Sequence, residues 1–156
     1  MFEQEIPGYG KLEIKNLILD YNGTIAKDGK LLEGLGDILN KLAEIVDVYV
    51  LTADTYGSVE KEMESFPVIV KVIKGENELV EKRDFARELG ANITMAIGNG
   101  YNDQLLFREV KISIVVMGCE ACATILFNIA DLVASDIYNA LGLLLNPTRL
   151  RSSLRG

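Results

Sequence analysis

The sequence contains no histidine and only two cysteines among its 156 residues. Without histidine, serine or cysteine nucleophiles activated by an imidazole are excluded, and so are most zinc sites. Cys119 and Cys122 cannot build the disulfide framework of a small secreted domain. Their CxxC spacing lacks the second group of ligands that a metal site needs. We therefore interpret both as small residues at the start of a helix.

The chain also lacks long apolar runs and an excess of positive charge. No run approaches the roughly 20 residues of a membrane-spanning helix, and the first residues, MFEQEIPGYG, show no basic-then-apolar signal pattern. The formal net charge is −7, which disfavours nucleic acid and anionic membranes as partners. The composition predicts a cytoplasmic protein with neither of these partners.

Short apolar runs rich in β-branched residues alternate with segments of helical periodicity. This alternation is typical of a parallel sheet covered by helices on both faces, a three-layer, doubly wound, Rossmann-like α/β fold. We expect a single domain over residues 1–156 with its core at about 12–146, an edge strand or loose segment before it, and a basic C-terminal tail that frays. The predicted strands are 15–20, 46–52, 68–73, 93–98, 111–116 and 131–134, and the predicted helices are 35–45, 56–66, 78–89, 102–109, 120–129 and 137–145.

Polar residues follow several predicted strands, at the edge where such sheets bind their ligands. The first strand ends in Asp20, the second in Thr52, and the fourth runs into Gly98-Asn99-Gly100-Tyr101-Asn102-Asp103, while Lys82 opens the helix before it. A carboxylate can attack phosphorus, while a hydroxyl, an ammonium and Mg²⁺ hold the phosphoryl oxygens. Backbone N–H groups of the turn at Gly23 and Thr24 could assist. The pattern therefore favours phosphoryl-transfer chemistry.

Four motifs in this order, LILDYNGTIA, VLTADT, VEKRDFAREL and AIGNGYND, resemble those of the haloacid dehalogenase (HAD) superfamily. The resemblance is strongest to the phosphorylation domain of P-type ATPases and its free-standing soluble relatives. It covers residues 17–145, including the stretch VKISIVVMGCEACATILFNIADLVASDIYNAL. It implies a Mg²⁺-dependent phosphohydrolase or phosphotransferase, acting on a small phosphorylated substrate or a nucleotide through an aspartyl-phosphate intermediate.

The resemblance also implies a role for each matching residue. Asp20 would be the nucleophile, Thr52 would bind the phosphoryl group, and Lys82 would steady both. The implied catalytic residues are Asp20, Asn22, Thr52 and Lys82, the phosphate-binding residues are Gly23, Thr24 and Ala53, and the Mg²⁺ ligands are Asp20, Asn22 (through its carbonyl), Asn99 and Asp103.

Two positions depart from the common pattern of this family. Phosphatases of the family have an aspartate where this chain has Asn22, and P-type ATPases have a threonine there. An amide cannot protonate a leaving group, so we expect good leaving groups: acyl phosphates, aryl phosphates or nucleotide anhydrides. An acid is also usual at the position of Asn99, so we expect only modest Mg²⁺ affinity.

Other interpretations stay open at this point. Asp20 could cap a turn, and Lys82 could belong to a solvated helix face. The two amides could instead mark a catalytically weak or inactive HAD-fold module that binds phosphate or a partner. An uncapped sugar-acid phosphatase is disfavoured by Asn22, and a kinase-phosphorylated receiver domain by the lack of an acidic cluster. No segment is long enough for a cap domain, which in this family suggests a homo-oligomer or a macromolecular substrate.

Overall fold

A computed structural model describes the whole chain, residues 1–156. The strands are β1 (Phe2–Ile6), β2 (Gly10–Ile14), β3 (Asn16–Asp20), β4 (Ala26–Lys27), β5 (Lys30–Leu31), β6 (Asp47–Thr52), β7 (Ile69–Val72), β8 (Thr94–Gly98), β9 (Ile112–Val116) and β10 (Leu132–Ala134). The helices are α1 (Leu35–Ala43), α2 (Ser58–Met63), α3 (Glu78–Leu89), α4 (Gln104–Glu109), α5 (Ile137–Leu145) and α6 (Pro147–Leu154).

Six of the strands form a parallel sheet in the order β10–β9–β8–β3–β6–β7. The chain leaves β3 toward β6 and β7, then crosses to the other side of β3 and continues through β8, β9 and β10. The strand order therefore reverses beside β3, whose last residue is Asp20. This confirms the predicted doubly wound α/β fold, and it places Asp20 at the position where such sheets bind ligands.

The sheet separates two hydrophobic layers of unequal size. The larger layer contains α1, α2, α5, α6 and the β1–β2 hairpin, and the much smaller one contains α3 and α4. Along β3, Leu17 and Leu19 contribute to the larger layer and Ile18 to the smaller one. Successive side chains of a strand point to opposite faces, which explains why these apolar runs are continuous rather than alternating.

Both ends of the chain differ from the expectation. Residues 2–14 form a separate antiparallel hairpin of β1 and β2, neither an edge strand of the main sheet nor a loose segment. The predicted fraying of the basic tail is wrong, because α6 begins with Pro147 in its first turn and buries Leu150 in the larger layer. The N–H of Gly156 also donates to the carbonyl of Pro7 at 3.1 Å.

Two predicted helices are also shorter than expected. Of residues 56–66 only α2 is helical, and of residues 120–129 only a short 3-10 segment, Thr124–Asn128. No helix begins at Cys119 and Cys122, so that interpretation of the pair is wrong. The segment before Ala123 is instead held to the β8 loop, since Ala123 N–H donates to the carbonyl of Asn99 at 2.8 Å.

The connection between β3 and α1 holds only the small β4–β5 hairpin, and no separate cap domain covers the sheet. This agrees with the predicted uncapped core. None of the helices combines the length and the apolar character needed to cross a bilayer.

Candidate active site

A cleft of about 250 Å³ opens at the carboxyl ends of β3, β6 and β8. Most of the predicted site residues line it, whereas Gly23, Thr24 and Asp103 do not. The residues that line the cleft are Asp20, Asn22, Leu51, Thr52, Ala53, Glu78, Lys82, Asn99, Gly100, Asn102 and Glu120. Polar groups from all four sequence motifs therefore meet in one place, as the strand-end pattern predicts.

One ammonium bridges two carboxylates at the base of the cleft. Lys82 Nζ donates to Asp20 Oδ1 and to Asp103 Oδ1, each at 2.7 Å. The Lys82 side chain is only 3% exposed and that of Asp103 is fully buried. Buried charges are tolerated when they are paired, so the three groups depend on one another.

Asp103 is held from both sides and does not reach the cleft. Its Oδ1 accepts from Lys82, and its Oδ2 accepts from the backbone N–H of Gly100 at 3.0 Å. Gly98 permits this approach, because a Cβ atom at that position would collide with the Asp103 carboxyl group. Both Asp103 oxygens are therefore engaged, and this geometry does not support Asp103 as a Mg²⁺ ligand. It instead fixes the Lys82 ammonium.

Burial raises the pKa of Asp20 to about 7; the nearby Asp103 carboxylate adds to this effect, and the Lys82 ammonium opposes it. Burial alone would lower the pKa of Lys82, but the Asp103 and Asp20 carboxylates outweigh it and raise that pKa. Lys82 thus stays protonated, while Asp20 titrates near neutral pH. The second Asp20 oxygen, Oδ2, has no hydrogen-bond partner and is available to react.

The β6 side of the cleft presents donors. Thr52 Oγ1 accepts from the backbone N–H of Asp54 at 3.0 Å, which leaves its own hydroxyl hydrogen free. The N–H of Ala53 has no partner within the chain. The Asp54 carboxylate accepts from Tyr56 N–H and from Ser58 and holds this loop in place. Thr52 and Ala53 therefore each present a hydrogen that no other group of the chain accepts.

The turn after Asp20 differs from its expected role. Gly23 N–H donates to the carbonyl of Ala26 at 2.9 Å, and Thr24 N–H to that of Tyr21 at 3.3 Å. These groups are therefore engaged in closing the turn and are not free to bind phosphate. The carbonyl of Asn22 accepts no hydrogen bond within the chain, so it remains available to a cation.

Asn99 connects three loops through its side-chain amide. Its Nδ2 donates to the carbonyl of Ala121 at 2.9 Å, and its Oδ1 accepts from Thr24 Oγ1 at 3.3 Å. An aspartate could not donate to the Ala121 carbonyl, which gives a physical reason for an amide at this position. Asn99 lines the cleft, but both polar atoms of its side chain form hydrogen bonds that hold the loops together.

Three residues of the cleft were missed in the sequence analysis. Asn102 Oδ1 accepts from Lys82 at 3.3 Å, and its Nδ2 donates to Glu78 Oε2 at 2.5 Å. Asn102 lies inside the motif GNGYND, but a polar residue within a polar loop carries no separate signal. Glu120 lies in the segment CEAC, which the helix interpretation concealed.

The residues present fit Mg²⁺ in an open site. No three acidic, cysteine or histidine side chains come together as a closed cage. Mg²⁺ is usually held by one or two carboxylates and keeps several waters or binds substrate phosphate oxygens. The Asp20 carboxylate and the Asn22 carbonyl meet that description in the cleft.

No protein-family model matches the chain. It is 43% identical over 61 residues to the uncharacterized protein MJ0073 of Methanocaldococcus jannaschii. The matched segment covers 39% of this chain and 66% of that protein, so the chain spans just under two thirds of MJ0073. It is 51% identical over 39 residues to the uncharacterized protein MJ0072 of the same organism, and this matched segment covers 25% of this chain and 89% of MJ0072.

Solved structures share the fold at low sequence identity. The cobalt-bound deoxy-D-mannose-octulosonate 8-phosphate phosphatase of Haemophilus influenzae superposes with a TM-score of 0.72 at 15% identity, covering 92% of this chain and 94% of that one. The 3-deoxy-D-manno-octulosonate 8-phosphate phosphatase of Moraxella catarrhalis, in complex with Mg²⁺, phosphate and KDO, gives 0.68 at 14% identity, covering 90% of each chain. A Streptomyces avermitilis protein described as an HAD-family hydrolase gives 0.67 at 18%, covering 87% of each. The chain therefore belongs to the same family as MJ0072 and has the α/β fold of the HAD hydrolases.

Proposed function

We propose that this protein is a divalent-metal-dependent phosphatase in which Asp20 is the nucleophile. The observation that carries the proposal is the buried Asp20–Lys82–Asp103 arrangement, which leaves one Asp20 oxygen free at the base of the cleft. The structural relatives named as phosphatases support it through their shared fold. A bound Mg²⁺ ion would neutralise charge on the phosphoryl oxygens.

The residues would divide the reaction into two steps. Asp20 Oδ2 attacks phosphorus, an aspartyl phosphate forms, and the bond from phosphorus to the leaving oxygen breaks. Water then attacks the phosphorus, inorganic phosphate leaves, and the Asp20 carboxylate is restored. Throughout, Lys82 holds Asp20 in place, and the Thr52 hydroxyl and Ala53 N–H donate to the phosphoryl oxygens.

The substrate should have a leaving group that departs as a stable anion. Asn22 lines the cleft where the family pattern has an acid, and an amide cannot donate a proton to an alkoxide. Lys82 is the only cation in the cleft, whereas Glu78 and Glu120 add negative charge. This favours a compact acyl or aryl phosphate over a nucleotide, whose polyphosphate brings several negative charges.

The test is phosphate release from acetyl phosphate, para-nitrophenyl phosphate and ATP, with and without Mg²⁺. We expect Mg²⁺-dependent turnover that is highest with acetyl phosphate and is lost in Asp20→Asn. Asp37→Asn, a change of the same chemistry at an exposed residue of α1, should retain wild-type turnover. Mass spectrometry of acid-quenched samples should locate the phosphoryl group on Asp20.

The role of Asn22 can be tested in the same assay. Asn22→Asp supplies the missing general acid and should raise the rate with an alkyl phosphate by roughly 10²–10⁴-fold. A much smaller change with acetyl phosphate is expected, because its leaving group needs no proton. An unchanged rate with the alkyl phosphate would contradict this account of the leaving group.

A non-catalytic binding module is the second candidate, and the amides at Asn22 and Asn99 favour it. In that case no substrate would be turned over, and mass spectrometry would find no phosphoryl group on Asp20. The more specific likeness to P-type ATPases depends on the sequence motifs alone. A homo-oligomer also remains a proposal, supported by the exposed apolar side chains of Met117 and Val133 near the β10 edge.

A further inference from the structure

We infer that Glu120 supplies the acidic cation ligand that position 99 lacks. The inference depends on the proposed function, since it concerns the divalent cation of the same cleft. It differs from the sequence prediction, which assigned that task to Asn99 and Asp103. The acid would come from the loop after β9 rather than from the loop after β8.

The position of Glu120 is the first observation. It lines the cleft together with Asp20 and Asn22, although it lies about a hundred residues farther along the chain. A Cβ atom built on Gly23 would lie 2.8 Å from Glu120 Oε2. The Glu120 carboxylate therefore lies beside Gly23, the residue after Asn22, whose carbonyl oxygen has no hydrogen-bond partner.

The second observation is the way the loop is held. The Asn99 side chain donates to the carbonyl of Ala121, and the Asn99 carbonyl accepts from Ala123 N–H. These two bonds fix the residues directly after Glu120 against the end of β8. The amide at position 99 thus cannot offer a charge, but it positions a neighbouring loop that does.

The third observation is that the Glu120 carboxylate is uncommitted. Asp20 Oδ1 is engaged by Lys82, and Glu78 Oε2 by Asn102, whereas Glu120 makes no hydrogen bond and no ion pair. The Asp20 carboxylate, the Asn22 carbonyl and the Glu120 carboxylate offer oxygen donors of the kind that Mg²⁺ prefers. Two of them carry charge, which compensates for the neutral Asn99.

The test is direct metal binding, measured as the loss of the electron paramagnetic resonance signal of free Mn²⁺. We compare wild type, Glu120→Gln and Glu5→Gln, the last removing an equal charge from an exposed residue of β1. Glu120→Gln should weaken Mn²⁺ binding at least about tenfold, and Glu5→Gln less than about twofold. Glu120→Ala should weaken it at least as much as Glu120→Gln. Thermal unfolding without metal should be the same for all four proteins, because Glu120 is exposed and unpaired.

Two results would overturn the inference. One is equal Mn²⁺ affinity in Glu120→Gln and Glu5→Gln, and the other is a wild type that binds no Mn²⁺. Whether Asp20 becomes phosphorylated in the wild type distinguishes a failure of this inference from a failure of the proposed function. If Asp20 is phosphorylated and Glu120→Gln binds Mn²⁺ normally, only the role of Glu120 is wrong. If Asp20 is never phosphorylated, the proposed function fails irrespective of where the metal binds.

Discussion

The two sides of the cleft are stabilised by different kinds of interaction. On the α3 side, Lys82 joins Asp20 and Asp103 through short ion pairs, and only Asp20 keeps a small exposed part of its side chain, 14%. On the opposite side, Asn99 joins the Thr24 turn to the loop at Ala121 through neutral hydrogen bonds. The exposed side chain of Glu120 lies on that side, close to Gly23.

The difference shows how one small site can hold some of its groups rigidly while it leaves another side chain free to bind and release a ligand. Charges in a low-dielectric environment interact strongly and do not need to reorganise, which suits groups that hold the proposed nucleophile Asp20. An exposed carboxylate is weakly held and hydrated, which suits the proposed binding and release of a cation at Glu120. We therefore expect substitutions on the Lys82 side to have the larger effects on stability.

The largest effect is expected for Lys82→Met, which leaves two carboxylates buried without a cation. We expect a loss of about 3–5 kcal/mol in the free energy of unfolding at pH 8, measured by urea denaturation. Lys74→Met, at an exposed lysine without an ion pair, is the control. The loss should be smaller at pH 5, where Asp20 is protonated. A change below about 1 kcal/mol at pH 8 would show that the cluster does not depend on Lys82.

Asp20→Asn is expected to stabilise the metal-free protein while it abolishes turnover. The pKa of Asp20 is raised from 3.8 to about 7, so the folded state binds more protons than the unfolded state between these values. This group's contribution therefore favours folding below about pH 4 and is lost as the pH rises to about 7. The variant lacks that loss and should be more stable than the wild type at pH 8.

The measurement is urea denaturation of wild type, Asp20→Asn and Asp37→Asn between pH 4 and pH 8 without metal. The difference in the free energy of unfolding between wild type and Asp20→Asn should increase as the pH rises. The free energy of unfolding of Asp37→Asn should follow that of the wild type. A variant less stable than wild type at pH 8 would mean that Lys82 outweighs burial and the Asp103 charge at Asp20.

The smallest of the three effects is expected for Asn99→Asp, on the neutral side of the cleft. An aspartate cannot donate to the Ala121 carbonyl, and one lost hydrogen bond costs about 1 kcal/mol. Urea denaturation at pH 7 measures this, with Asn40→Asp on the exposed face of α1 as control. If the two variants were equally stable, the amide would not be what ties the loops together.

The central sheet was predictable from sequence because its strands are short, apolar and bounded by turns. Asp20 and Thr52 could be located for the same reason, since each ends such a run. Lys82 lies in a helix of mostly polar residues, so periodicity alone would leave it on a solvated face, and only the resemblance singled it out. The structure brings all three to one cleft, and their catalytic roles remain predictions.

Features that depend on tertiary contacts were not predictable. The segment around Glu120 has helical composition, but hydrogen bonds from the distant Asn99 keep it from forming a helix there. The tail reads as a basic segment, and its helix is anchored by the single buried side chain of Leu150. Asn102 contacts Lys82 through a pairing that no local spacing reveals.

The unequal hydrophobic layers have a consequence for how the site is lost. Asp20 is carried by the central strand β3, whereas Lys82 and Asp103 are attached to α3 and the start of α4, over the smaller core. Segments with less apolar support open more often in partial unfolding, which hydrogen exchange detects. We expect amides of α3 to exchange faster than those of β3. Transient opening of this one layer would inactivate the site while the rest of the protein remained folded.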